Sequence, residues 1–123
     1  MQWYLRKKKR LMLEIELMES KGVNFQLCQN DYGDLLWRGS LCVLGNYHND
    51  VRLVYLEDFP YEPMDVYVLE PSLPTSYHHV FSDGRICYIK PEEWNPSWTA
   101  YDVYLTTIRF LHDFYLGEMD SFW

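Results

Sequence analysis

Apolar residues recur along this chain with two different periods. Over residues 2–20, Tyr4, Leu11, Ile15 and Met18 fall on one face at helical spacing, and Glu14, Glu16 and Glu19 fall largely elsewhere. That spacing predicts an amphipathic helix. Gly22 stands just past the last periodic residue, where a left-handed position ends a helix. The period then drops to two. Phe25 and Leu27 alternate with Gln26, and Asn30, Asp31, Tyr32, Gly33 and Asp34 make a turn. Residues 35–44 put Trp37, Leu41 and Val43 on one side and Arg38 and Ser40 on the other, closed by Gly45 and Asn46. Residues 51–56 and 64–69 alternate in the same way, which completes four predicted strands. Between these last two, Pro60 and Pro63 fix an extended, non-helical link. Residues 99–116 return to helical spacing, with Val103, Ile108, Leu111 and Tyr115 as core candidates and Thr99, Asn95 or Ser97 as the N-cap. The order is helix, four-stranded meander, irregular segment, helix, which is α+β with antiparallel strands.

With 123 residues the chain fits one domain, and 48% hydrophobic with 18% aromatic residues argues against disorder. A net charge of −7 argues against a nucleic-acid binder, whose phosphate contacts need a basic field. The exception is local: Arg6, Lys7, Lys8, Lys9 and Arg10 are consecutive cations. Being contiguous they encircle the predicted helix, either for solvation or as a docking surface. No apolar run approaches the roughly 18–20 residues of a membrane helix, and the start lacks a signal peptide's apolar core. Cys28, Cys42 and Cys87 form no C-x-x-C pair and leave an odd count, so a reduced compartment is expected. The expected location is cytoplasmic, with no membrane partner.

Chemistry concentrates after the fourth strand. Ser82, Asp83, Gly84, Arg85, Ile86, Cys87, Tyr88 and Ile89 run together, and Trp94, Asn95 and Pro96 begin seven residues past the cysteine. A glycine turn lifts a strand-like Arg-Ile-Cys segment, and a Trp-x-Pro anchor precedes a helix. The ordinary fate of a free cysteine is a buried, inert thiol. That is expected of Cys28 and Cys42, which lie mid-strand among apolar residues with no histidine close in sequence. His78 and His79 are spacers, catalytic groups or metal ligands by residue type. With Cys87 they make three ligands where a structural zinc needs four, so no metal is expected. A cysteine hydrolase built on Cys87 and His79 would need an orienting third group and an oxyanion hole, and neither is legible.

This segment resembles the active-site stretch of ubiquitin-conjugating enzymes, which reads Gly-x-Ile-Cys and then Trp-Ser-Pro. Phe59, Pro60, Tyr61, Glu62 and Pro63 look like that family's Tyr-Pro-x-x-Pro link before its fourth strand, and the resemblance covers nearly the whole chain. It implies the UBC fold, and a Cys87 that accepts a protein C-terminus as a thioester and yields it to an amine, without metal or organic cofactor. The family's His-Pro-Asn is replaced. Counting back from Cys87 places His79 at the asparagine, His78 at the proline and Tyr77 at the histidine; a gapped register would equate His78 with the family histidine. A histidine at 79 would donate to the oxyanion or act as base, its pKa lying near about 6.5.

The cysteine-to-tryptophan spacing is one residue shorter than usual, and the chain ends at Trp123 without the family's two last helices. Glu118 and Asp120 are the local candidates for the acidic residue that tunes an incoming lysine. The terminal Ser-Phe-Trp lacks a tag's glycine, which implies a carrier and not a modifier. Together these features resemble the short bacterial type found in CBASS antiphage operons beside a cGAS-like nucleotidyltransferase. The implied acyl donor is that nucleotidyltransferase or a ubiquitin-like tag, the latter supplied by an activating enzyme docked on the first helix. A non-catalytic binding module of the same fold is the alternative; Cys87 argues against it and the missing asparagine argues partly for it.

Overall fold

A computed structural model describes residues 1–117, so Glu118 and Asp120 lie outside the described residues. The helix expected over 2–20 is broken in two. Helix α1 (Trp3–Arg6) and helix α2 (Lys8–Ser20) meet at Lys7, whose φ of −120° and ψ of 60° are not helical. The cause is Trp3. Its ring is fully buried, 4.8 Å from the rings of both Tyr55 and Phe59, and seating it turns the first turn into the core. Aromatic burial of this size outweighs the loss of helical continuity. Met18 is buried as expected, while Tyr4, Leu11 and Ile15 pack at the core's edge. Glu14 departs from the expected pattern: it is 1% exposed, because Arg10 on its own helix and two distant segments, at Tyr55 and Ala100, bring it partners. Gly22 ends the helix at a φ of +69°, as its position implied.

The meander forms one antiparallel sheet in the order of the chain: β1 (Gln26–Gln29), β2 (Leu35–Val43), β3 (Tyr47–Val54), β4 (Asp65–Leu69) and β5 (Arg85–Ile86). In register, Trp37 stands opposite Leu53, Val51 opposite Val68 and Val66 opposite Ile86. Strand β3 starts four residues ahead of the expected Val51. Leu44 and Gly45 take left-handed φ values of 52° and 81°, which let the chain reverse at once and pair Tyr47 with Val43. The expected sidedness of β2 holds: Trp37, Leu41 and Val43 face the core, and Arg38 and Ser40 face out. β5 is a fifth strand, too short to show any period and formed because β4 offers it an edge.

Helix α3 (Ala100–Leu116) crosses behind β2 and β3 and also meets α2. Thr99 is its N-cap in a reciprocal capping box with Asp102, and Gly117 closes it at a φ of 78°. Of the expected core positions Val103 and Leu111 are buried, joined by Ala100, Thr107 and Phe110; Ile108 and Tyr115 are half-buried at the margin. Among the described residues no helix is long and apolar enough to cross a membrane.

Candidate active site

Gly84 sets the approach to the cysteine. Residues 81–85 make a tight reversal in which Gly84 N–H donates to the Phe81 carbonyl (3.1 Å) and Arg85 N–H to Asp83 Oδ1 (3.0 Å). Gly84 has a φ of +91°, and a Cβ there would stand 2.5 Å from Leu69 Cδ2 and 3.2 Å from the Val68 carbonyl. The position therefore needs glycine twice, for conformation and for space. Gly84→Ala is expected to cost about 2 kcal/mol or more in denaturant unfolding and to pull β5 from β4.

Beyond the turn, β5 carries the chain to Cys87, whose N–H donates to the His79 carbonyl (2.8 Å). Val80 bridges to Ile86 beside it, so residues 79–80 line the far side of the cysteine strand. The thiol is half-buried and opens on an apolar groove of about 270 Å³ walled by Pro63, Met64, Phe81, Ile89 and Pro91. Buried Tyr88 follows, its hydroxyl donating to the Met64 carbonyl (2.7 Å) and pinning the groove's floor. Burial pushes the Cys87 thiol above its ordinary value of 9.0, and nearby Arg85 only partly offsets this. At neutral pH the sulfur thus rests as a thiol and loses its proton as it attacks.

Arg85 spans the groove's edge, 4.5 Å over the Phe81 ring and 4.0 Å from the carboxylate of Asp65. Burial raises the Asp65 carboxyl, with Arg85 opposing and Asp83 adding to the rise. Residues 65 and 88 carried no signal in the sequence, since their relation to Cys87 exists only across the β4–β5 edge.

The two histidines part company. His79 is 3% exposed, with its ring edge-on to Phe110 of α3 at 6.5 Å, whereas His78 is exposed. Their rings are 3.8 Å apart. His79 and Cys87 are joined through the backbone, and His78 sits on the solvent side of that pair. Tyr77 meets Phe114 edge-on at 5.0 Å, so the end of α3 supports this segment.

Two expectations need correcting. Cys42 is exposed and not buried, because strand alternation turns it outward with Arg38 and Ser40; His48, distant in sequence, stands opposite it. Cys28 is half-buried. The basic run is not one solvated ring. Lys7 sits 4.9 Å over the Tyr61 ring and Arg10 turns inward, while Arg6, 3.8 Å from Asp58, stays exposed with Lys8 and Lys9. Trp94 packs as expected, its indole N–H donating to the Pro60 carbonyl (2.8 Å) and its ring 5.6 Å from Trp98. Among the described residues no cluster of His, Cys, Asp or Glu side chains is arranged to hold a metal ion.

No protein-family model matches the chain. No curated protein matches it. Solved structures do. A ubiquitin-conjugating enzyme E2 from Plasmodium falciparum aligns at 19% identity over 85% of this chain and 96% of its own, with a TM-score of 0.62. The chain has the ubiquitin-conjugating fold. A Plasmodium vivax enzyme of the same description aligns at 21% identity over 83% of this chain and 98% of its own, with a TM-score of 0.60. The enzyme UbcA1 from Agrocybe aegerita gives 21% identity, 85% and 80% coverage and a TM-score of 0.59. At such identities the likeness is one of fold.

Proposed function

We propose that this protein is a ubiquitin-conjugating-like acyl carrier in which Cys87 is the nucleophile. The observation that carries the reading is the placement of that half-buried thiol, at the end of β5 on an apolar groove, within this fold. In the first step Cys87 Sγ loses its proton and bonds to the acyl carbon of an activated donor C-terminus, whose leaving group departs with a proton. In the second an amine attacks that carbon, the C–S bond breaks, and the amine's proton returns to sulfur. The raised thiol favours a carrier over a hydrolase, whose thiolate is formed in advance by a paired histidine.

The donor in this reading is a bacterial cGAS-like nucleotidyltransferase in cytoplasmic antiphage defence, supported by the replaced asparagine and the short segment between Cys87 and Trp94. Tagged protein isolated from its native host, with and without phage, should bring down that enzyme joined to Cys87 in a thiol-sensitive bond. Recovery of a ubiquitin-like tag with an activating enzyme, and no nucleotidyltransferase, would overturn the donor while leaving the transfer chemistry standing. A complex that is never thiol-sensitive would select the non-catalytic module, the reading favoured by the absence of asparagine at position 79.

His79 is proposed to serve the oxyanion in place of that asparagine, and exposed His78 to act at most on the incoming amine. Loss of one such donor costs about 10²–10³-fold in rate. His79→Ala should slow single-turnover transfer by that factor, and His79→Asn should restore most of it. Equal rates in all three proteins would reduce His79 to packing against Phe110, and a larger effect from His78→Ala would move the role to that residue.

A further inference from the structure

The chain beyond Cys87 is irregular, yet it is referred to one point in helix α2. Past the cysteine, residues 88–98 contain one 3₁₀ turn (Pro91–Glu93) and a tight turn from Asn95 to Trp98. They are tied back by Tyr88 to Met64, by Trp94 to Pro60, and by Arg10. Arg10 makes three different bonds with one guanidinium. Nη1 donates to the Pro96 carbonyl (2.8 Å), Nη2 to the Trp98 carbonyl, and Nε to Glu14 Oε2 (3.3 Å), with the plane 5.0 Å over the Phe59 ring. Only a planar fork can meet three acceptors set in this way. The other oxygen, Glu14 Oε1, accepts from Ala100 N–H and from the Tyr55 hydroxyl, each at 2.8 Å, so it holds the first turn of α3. Helix α3 in turn supports the segment that lines the cysteine strand, through Phe110 on His79 and Phe114 on Tyr77.

We propose that Arg10 is a positioning residue for Cys87: with Glu14 it fixes, from α2, both the segment that walls the cysteine's groove and the helix that backs it. This role presupposes that Cys87 is the reacting thiol, as proposed above. It also assigns one member of the basic run a task unlike its neighbours'. Arg10 is withdrawn from the surface, so whatever touches Lys8 and Lys9 bears on the helix that holds the cysteine's walls. Releasing Arg10 should let Pro91 and Ile89 move away and uncover the sulfur.

Iodoacetamide is a suitable probe, because it reads Cys87 without any partner once Cys28→Ser and Cys42→Ser remove the other thiols. Arg10→Lys keeps the charge beside Glu14 and loses the fork. It is expected to speed alkylation of Cys87 at neutral pH by about threefold or more and to move the midpoint of its pH profile down. Amide exchange in residues 88–98 should quicken while β2 and β3 keep their protection. An unchanged alkylation profile with unchanged exchange in 88–98, alongside a lowered melting temperature, would make Arg10 merely structural and overturn the inference. Glu14→Gln, which keeps the shape and the Oε1 acceptor, should move the profile in the same direction, and a profile it leaves unmoved counts equally against the coupling. The two proposals fail separately. If alkylation follows Arg10 but Cys87 accepts no acyl group, the carrier reading falls and the coupling stands.

Discussion

Replacing Cys87 with alanine should abolish the covalent adduct, and replacing it with serine should leave either none or one that thiols no longer cleave. The reason is the leaving group. A thioester gives up its acyl carbon to an amine because sulfur departs readily, whereas an oxygen ester at the same position holds it. Loss of a covalent nucleophile is expected to lower transfer by at least about 10³-fold. Cys28→Ser and Cys42→Ser should leave loading unchanged, since one lies in β1 and the other on the outer face of β2. Intact-mass measurement with and without dithiothreitol reads all four proteins. An adduct that survives Cys87→Ala but is lost with Cys28 or Cys42 would sink the assignment. The pH dependence follows from burial: with the thiol held above 9.0, loading should climb about tenfold per pH unit through the neutral range and level off only above that value.

Glu14→Ala should be the most damaging change away from the cysteine. The carboxylate is 1% exposed and accepts from Arg10, Tyr55 and Ala100, while the Tyr55 hydroxyl in turn accepts from the Trp37 indole at 2.8 Å. Removing it leaves a mostly buried guanidinium with carbonyl acceptors but no counter-charge, and takes the acceptor from a buried hydroxyl and from the first N–H of α3. Breaking a buried charged pair on one side costs about 3–5 kcal/mol, and denaturant unfolding should show a loss of that order. Glu14→Gln, which keeps an acceptor for Ala100 and Tyr55, should lose less, about 1–3 kcal/mol.

The same carboxyl makes stability depend on pH. Burial raises it above its ordinary value of 4.5, the bonds from Ala100, Tyr55 and Arg10 opposing but not cancelling that rise. A carboxyl raised on folding binds its proton more tightly in the native state. Its contribution is full below 4.5 and falls as pH climbs through the native midpoint. Wild type should therefore lose stability across that window, and Glu14→Gln should lose less, keeping the share that the likewise raised Asp65 contributes. Parallel slopes for the two proteins would place the titration elsewhere.

Much of this molecule is written locally. Alternation in residues 35–44 placed Trp37, Leu41 and Val43 inside, because a strand's period tells which side chains share a face. Gly84, Cys87 and Trp94 could be picked out by type and spacing, and Thr99 with Asp102 needs only neighbours to form its capping box. Local pattern fails where a residue's place is decided by something far along the chain. Lys7 breaks a helix because Trp3 is needed beneath Tyr55 and Phe59. Adjacent histidines divide because Phe110 packs against one and the other is left exposed. Cys42 meets His48 only once β2 and β3 pair.

Glu14 shows the limit most clearly. Its spacing from Arg10 is an ordinary i, i+4 ion pair, of the kind that exposed helices carry for a few tenths of a kcal/mol. Eighty-six residues separate it from Ala100, and the same number separates Arg10 from Pro96. Hydrophobic periodicity reports which side chains leave water on their own account. A charged side chain goes inside only when distant backbone donors and acceptors arrive to replace the water it loses. The sequence by itself therefore determined the order of the four longer strands and the last helix and the place of Cys87 beyond the Gly84 turn, but neither the break at Lys7 nor the two-residue β5. The tertiary structure alone decided which polar groups, Glu14 above all, could leave water.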